Sequence, residues 1–223
     1  MKKLFVFALA LCIGASCAYA QTQKEISKER KEIAKLSKNE LNSRTGKAAR
    51  KAAKEYVKEG WIVAPGALPL EKQLDRAFNM QYEYDEAAFP KYLMGEAMSI
   101  GENYDGGKMQ ALELAKQNLA GQIQTEVTAL IENTVANKQL TQEQAATITE
   151  TVMASKNLIS QSIGRVVPVV ECYRVKGNKN KEVRVQIAYN SKMALEAAKN
   201  AVRDQLEKKG EKLHEQLDKV LGF

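Results

Sequence analysis

The sequence predicts an α+β fold in which long helices pack on a small antiparallel sheet, with a helical N-terminal arm and a C-terminal helix. Three observations predict it. From Asp105 to Val135 the apolar residues Met109, Leu112, Ala115, Leu119, Ile123, Val127, Leu130, Ile131 and Val135 recur mostly in steps of three and four, the spacing of one helical face. Lys91 to Gly101 and Val183 to Tyr189 instead alternate, the period of strands. After Ser191, Leu195, Ala198, Val202, Leu206, Leu213, Leu217 and Val220 or Leu221 mark a last amphipathic helix, interrupted at Lys209-Gly210. One core is expected, formed where the long helix crosses the sheet.

The first twenty residues read as an export leader. Lys2 and Lys3 give a positive start, Leu4 to Ala15 an apolar middle, and Ala18-Tyr19-Ala20 a small-x-small cleavage motif, so cleavage is expected between Ala20 and Gln21. The apolar run is shorter than the roughly 20 residues that span a bilayer. Cys17, behind Gly14-Ala15-Ser16, offers lipid anchoring as an alternative. Cleavage leaves 203 residues, with Cys172 as the one remaining thiol. Stability is then expected from packing and not from disulfides.

The chain carries +7, of which Lys2 and Lys3 belong to the leader. The rest is concentrated between Gln21 and Glu59, where twelve basic residues face six acidic ones. This basic helical arm, residues 21–59, is expected to be a solvated helix. In the alternative reading Lys28, Arg30, Lys31 and Lys35 contact an anionic surface, either lipid headgroups or a cell-wall polymer. Export argues against nucleic acid. Within the arm, Lys24 to Leu41 shows a narrow stripe of Ile26, Ile33, Leu36 and Leu41, and Asn42 to Gly46 breaks the pattern. Lys47 to Lys58 groups Ala48, Ala49, Ala52, Ala53, Tyr56 and Val57, small residues that suit a docked helix ending at Gly60.

Residues 60–90 form a connecting segment. Trp61 to Ala64 reads as a short extended run closed by Pro65-Gly66, followed by a helix from Pro69 through Leu70, Leu74, Ala77 and Phe78. Trp61 is expected to plug the base of the core, with ligand stacking as the alternative. Tyr82, Tyr84, Phe89 and Tyr92, with Glu83, Asp85 and Glu86 between them, are expected to cap the core. Their alternative role is to bind a carbohydrate or a cation, with Tyr82 and Tyr84 stacking on it.

Residues 91–223 form the α+β domain. In the first strand Leu93, Gly95, Ala97 and Ser99 share a face whose small residues permit close approach of the long helix. Asn103 and Asp105 are candidate caps for that helix, and Gly106-Gly107-Lys108 lacks the spacing of a phosphate loop. After the break Asn137-Lys138-Gln139, Thr141 with Gln144 reads as a capping box opening one helix through Ala145, Ile148, Val152, Ser155 and Ile159. The sheet resumes at Arg165. Val166 to Val175 is apolar on both sides, and Pro168 predicts an edge strand or a bulge. Val183, Val185, Ile187 and Tyr189 alternate with Glu182, Arg184, Gln186 and Ala188, a sheet with one wet face. The six-residue turn leaves the register open, and Ser191 is the expected cap of the last helix.

The residues for catalysis are sparse. A nucleophile pair would need Cys172, set among valines, and His214, the single histidine, on the polar side of a charged helix. One histidine and one remaining cysteine leave no thiolate or imidazole metal set, and no cofactor motif appears. A non-catalytic protein is expected.

Met94-Gly95-Glu96-Ala97, the helix from Ala111 through Ala115 and Ala120 to Ile123, and the strand Val183 to Ile187 together resemble the twenty-kilodalton membrane-associated lipoprotein family. They are also similar to the N-terminal domain of the flagellar T-ring protein. The resemblance covers Tyr92 to about Asn190. It implies an α+β domain with a helix across a small antiparallel sheet, an envelope location, and a role in assembly or scaffolding with no catalytic residues to carry over. Gly60 to Gly66 and the leader further resemble exported proteins of Gram-negative gut bacteria. The expectation is an exported protein of the periplasm or outer-membrane surface, acting as an assembly, scaffolding or interaction module with an envelope partner or a second copy of itself. A module for cell-wall glycan (peptidoglycan) or anionic lipid is the alternative.

Overall fold

The computed structural model describes residues 45–86, 89–137, 140–164, 166–208 and 217. Among these are six helices and three strands. They run α1 (Lys47–Lys58), α2 (Leu70–Gln81), β1 (Tyr92–Gly101), α3 (Tyr104–Ala136), α4 (Gln142–Ala154), α5 (Lys156–Ser162), β2 (Pro168–Val175), β3 (Lys181–Asn190) and α6 (Ser191–Lys208). The strands form one antiparallel sheet in the order β1-β3-β2, so the α+β class holds.

The long helix α3 crosses the sheet as its spacing predicts, because β1 leaves room for it. A Cβ on Gly95 would lie 2.4 Å from the Ala115 carbonyl oxygen and 2.8 Å from Leu119 Cβ, so only glycine lets the helix sit this close. Ala111, Ala115, Leu119, Ala120, Ile123, Val127 and Ile131 are buried. Met109 is a correction, at 73% exposed. It stands two residues from Ala111, roughly 200° around the helix, and points away from the sheet. Asn103 caps α3 by accepting from the Gly106 amide at 2.8 Å.

Thr141 and Gln144 form the capping box, and Ala145, Ile148, Val152, Ser155 and Ile159 are all buried. The expected single helix is two, α4 and α5, which meet at Ser155. The Ser155 hydroxyl donates back to the Thr151 carbonyl at 2.7 Å, a local bond that competes with the helical ladder. Buried Gln124 of α3 donates to the Val152 and Met153 carbonyls, tying the end of α4 to the long helix. A second correction falls at α6. Asn190, not Ser191, caps it, accepting from the Lys192 and Met193 amides, while the Ser191 hydroxyl donates to the Pro90 carbonyl. Leu195 is half-buried, and Ala198, Val202, Leu206 and Leu217 join the core; Leu213, Val220 and Leu221 lie outside the described residues.

In the hairpin, Val175 pairs with Lys181 and Val170 with Gln186, and the register shifts between Pro168 and Val170. Pro168 is the first residue of the edge strand β2 and stands at the register shift, two of the places in a sheet that accept a proline. Arg165 lies outside the described residues.

The single core is corrected to two clusters, one on each face of the sheet. The larger joins α3, α4, α5 and α6 to Val183, Val185 and Ile187. The smaller joins Ala49 and Ala53 of α1, Trp61, and Leu70, Leu74 and Ala77 of α2 to Val169, Val170 and Cys172. The face expected to be wet is therefore covered at one end. Ala48 and Val57, expected on the docked side of α1, are exposed.

The chain from 60 to 75 also protects the free edge of β2. Ile62 exchanges two backbone hydrogen bonds with Tyr173, each 2.8 Å. Gln73, buried in α2, accepts from the Glu171 amide at 2.7 Å and donates to the Leu68 carbonyl at 2.7 Å. Two outward amides of an edge strand are thus satisfied within the chain.

Candidate interaction surfaces

The side chains best suited to chemistry are held by their neighbours. Cys172 is fully buried in β2, and burial pushes its thiol up to about 12, so it stays a protonated, inert group at neutral pH. Glu171, on the face of β2 turned toward α3, receives the Tyr104 hydroxyl and an ion pair from Lys108 at 2.8 Å. Tyr104 meets Tyr173 at a tilt, with ring centroids 5.0 Å apart, and its phenol is raised, first by burial and then by the bond to Glu171. On the opposite face Arg174 pairs with Glu182, and Arg184 with Glu96. Each guanidinium also lies on a ring, Arg174 at 4.6 Å from Trp61 and Arg184 at 5.0 Å from Tyr56. These clusters join elements of the fold to one another.

Trp61 belongs to the same set. At 2% exposed, with Nε1 donating to Glu59 at 3.1 Å and Arg174 over its face, it plugs the smaller cluster and offers no ring surface to a ligand. The stacking alternative for Trp61 is therefore corrected: Gly60, at φ +87°, ends α1 and turns the indole inward.

The rings that follow behave in the opposite way. Tyr82, Tyr84 and Phe89 are 68%, 52% and 58% exposed, so the expectation that they cap the core is corrected. They ride on a braced loop between α2 and β1. Asp85 and Phe89 hydrogen-bond each other twice at 2.9 Å, and Tyr84 bridges to Pro90. Lys91 closes the base, with its amide on the Glu83 carbonyl and its ammonium on the Glu83 carboxylate, both at 2.8 Å. That pair holds the Lys91 ammonium above its ordinary range. Short backbone pairing ties residues 83–85 to residues 89–91, and the side chains of Tyr82, Tyr84 and Phe89 are exposed.

A second surface lies on α1, whose outward side carries the exposed residues Lys47, Lys51, Lys54 and Lys58. The docked side expected from the sequence holds at Ala49, Ala52, Ala53 and Tyr56, which leaves the lysines outward. A third feature is a depression of about 250 Å³ between α5 and α6, lined by Leu158, Gln161, Ser162 and Asp204 among others. Ala20, Gln21, Lys28, Arg30, Lys31, Lys35 and His214 lie outside the described residues. Among the described residues no three of His, Cys, Asp and Glu are placed to hold a metal ion, and no helix is long and apolar enough to cross a membrane. Comparison with protein families, characterised proteins and solved structures gives no match to the chain.

Proposed function

We propose that the chain is a non-catalytic, exported interaction module of the cell envelope, acting in assembly or scaffolding through a protein partner or a second copy of itself. The observation that carries this reading is the braced loop bearing Tyr82, Tyr84 and Phe89. Large rings exposed together on a fixed backbone lose little conformational entropy when a partner covers them, and aromatic anchors of this kind dominate binding energies. The engagement of Glu171, Arg174 and Arg184 in contacts between elements, and the burial of Cys172, support a structural use of the polar residues. The leader-like first twenty residues and the resemblance to envelope lipoproteins support the compartment.

The second reading, retention on cell-wall glycan, is favoured by the same loop. Tyr82 and Tyr84 offer exposed rings on which a sugar can stack, and Glu86 is the acid beside them whose carboxylate has no bond within the loop described above. Crosslinking in intact envelopes followed by pull-down separates the two. Recovery of a stable protein partner, reduced at least tenfold by Tyr82→Ser/Tyr84→Ser/Phe89→Ser, is the expected outcome, since each anchor is worth about 2 kcal/mol. Retention of the wild type on isolated sacculi with no crosslinked protein would replace the first reading with the second.

A further inference from the structure

The side of α1 turned away from the sheet carries four lysines that form no ion pair among the described residues. Lys47, Lys51, Lys54 and Lys58 are exposed, while Ala49 and Ala53 are buried. At 3.6 residues per turn, steps of four, three and four keep the lysines within about 60° of arc, and the two alanines fall roughly half a turn away. Docking of the alanine side on α2 and Trp61 therefore fixes the row facing outward. It spans about 16 Å, at roughly 1.5 Å per residue.

No hydrogen bond or ion pair engages these four side chains among the described residues. Glu55, the one acid within α1, lies one helical turn from Lys51 and Lys58, about 40° and 60° around the helix from them, without forming an ion pair, and Glu59 is bound to the Trp61 indole. Like charges three and four residues apart destabilise a helix by a few tenths of a kcal/mol per pair. With one acid against these four lysines and Arg50, the helix keeps a net charge of +4, and an external anionic surface would relieve the repulsion.

We propose that this row is a peripheral docking face for a membrane surface rich in anionic phospholipid headgroups. Shape selects that occupant. The row is convex, with no wall and no interleaved ring, so a small anion could touch only one or two lysines. A plane of headgroups meets all four, through stems long enough to reach it. Val57, 62% exposed, flanks the row and can rest at headgroup level. The inference is independent of any partner for the aromatic loop.

The test is co-sedimentation of the full chain with vesicles of phosphatidylglycerol and phosphatidylcholine, against pure phosphatidylcholine. Binding only to the anionic vesicles, falling steeply as salt rises from about 0.05 to 0.5 M, is expected. At about a factor of five per lysine, Lys47→Gln/Lys51→Gln/Lys54→Gln/Lys58→Gln should weaken binding roughly 10² to 10³-fold. The four-arginine counterpart should keep it. Because all four sites are exposed, circular dichroism should be unchanged, and the milder Lys51→Gln/Lys54→Gln, expected to lose about 25-fold, guards against a folding artefact. Anionic binding that the α1 variants leave unchanged, but that Lys28→Gln/Arg30→Gln/Lys31→Gln/Lys35→Gln abolishes, would assign the contact to the upstream arm and overturn the proposal. Equal binding to both kinds of vesicle, or retention on sacculi and not on vesicles, would overturn it as well.

Discussion

The two faces of the sheet are closed by different materials. Among the described residues the face toward α3 is sealed by 24 buried residues, most of them from α3, α4, α5, α6 and β3, whereas the opposite cluster holds nine. That smaller cluster gathers around its largest side chain, Trp61, with three alanines, Leu70, Leu74, Val169, Val170 and Cys172, and the same sheet face also carries ion pairs and the exposed Met98 and Ile100 of β1. A continuous apolar ridge makes a unit that is lost all at once. A small cluster around one bulky residue makes a cover that can open while the rest stays folded.

Trp61→Ala is the strongest way to break the contrast. The indole is buried at the junction of α1, α2 and β2, and its removal should cost about 3–5 kcal/mol. If the cover is a separate cooperative unit, amide exchange will rise in α1 and α2 while Val183, Val185 and Ile187 stay protected. Equal loss of protection in β3 would show that both faces unfold as one.

Gly95→Ala probes the other face with a single methyl. Its new Cβ would meet the Ala115 carbonyl oxygen and Leu119 Cβ inside contact distance, and backbone cannot rotate aside as a side chain can. A loss of about 1–3 kcal/mol is expected, spread over the whole domain in chemical denaturation with all probes coincident. A variant as stable as the wild type would mean that α3 slides freely on β1, against the close packing described above.

The same contrast sets what was legible in the sequence. The long helix, its Asn103 cap, the Thr141 capping box and the small-residue face of β1 are encoded by neighbours, so spacing alone reveals them. The second cluster is not, because it joins distant segments whose residues are each ambiguous. Gln73 reads as a surface glutamine until it meets Glu171, 98 residues later. The alanines of α1 mark its docked side, and Ala49 and Ala53 are buried there, but small residues give that side no sharp edge, so Ala48 and Val57 fall outside it. Tyr82, Tyr84 and Phe89 have the composition of a core cap, and the loop's backbone pairing, which turns them outward, leaves no periodic mark. Met109 and Ser191 fail for a simpler reason: one residue of phase decides exposure on a helix, and one residue of boundary decides which side chain caps it.

The smallest expected effect lies where the outer face passes from apolar to charged. Arg174 donates a hydrogen bond to Glu182, and that bond, with the charges of Arg174 and Lys176, holds the Glu182 carboxyl below its ordinary range although burial pulls it the other way. A carboxyl lowered on folding adds stability that is full above its unfolded pKa, near 4.3, and is lost as pH falls through the folded value. Glu182→Gln should therefore be less stable than the wild type at neutral pH by about 1 kcal/mol or less, because Arg174 is partly solvated. The difference should stay level down to about pH 5 and shrink below about pH 4, where the wild-type carboxyl itself becomes neutral. Denaturant titrations of both proteins across that range measure it. A difference that persists undiminished in acid would mean that Glu182 contributes by shape and not by charge, making the outer face a packed cover like the inner one.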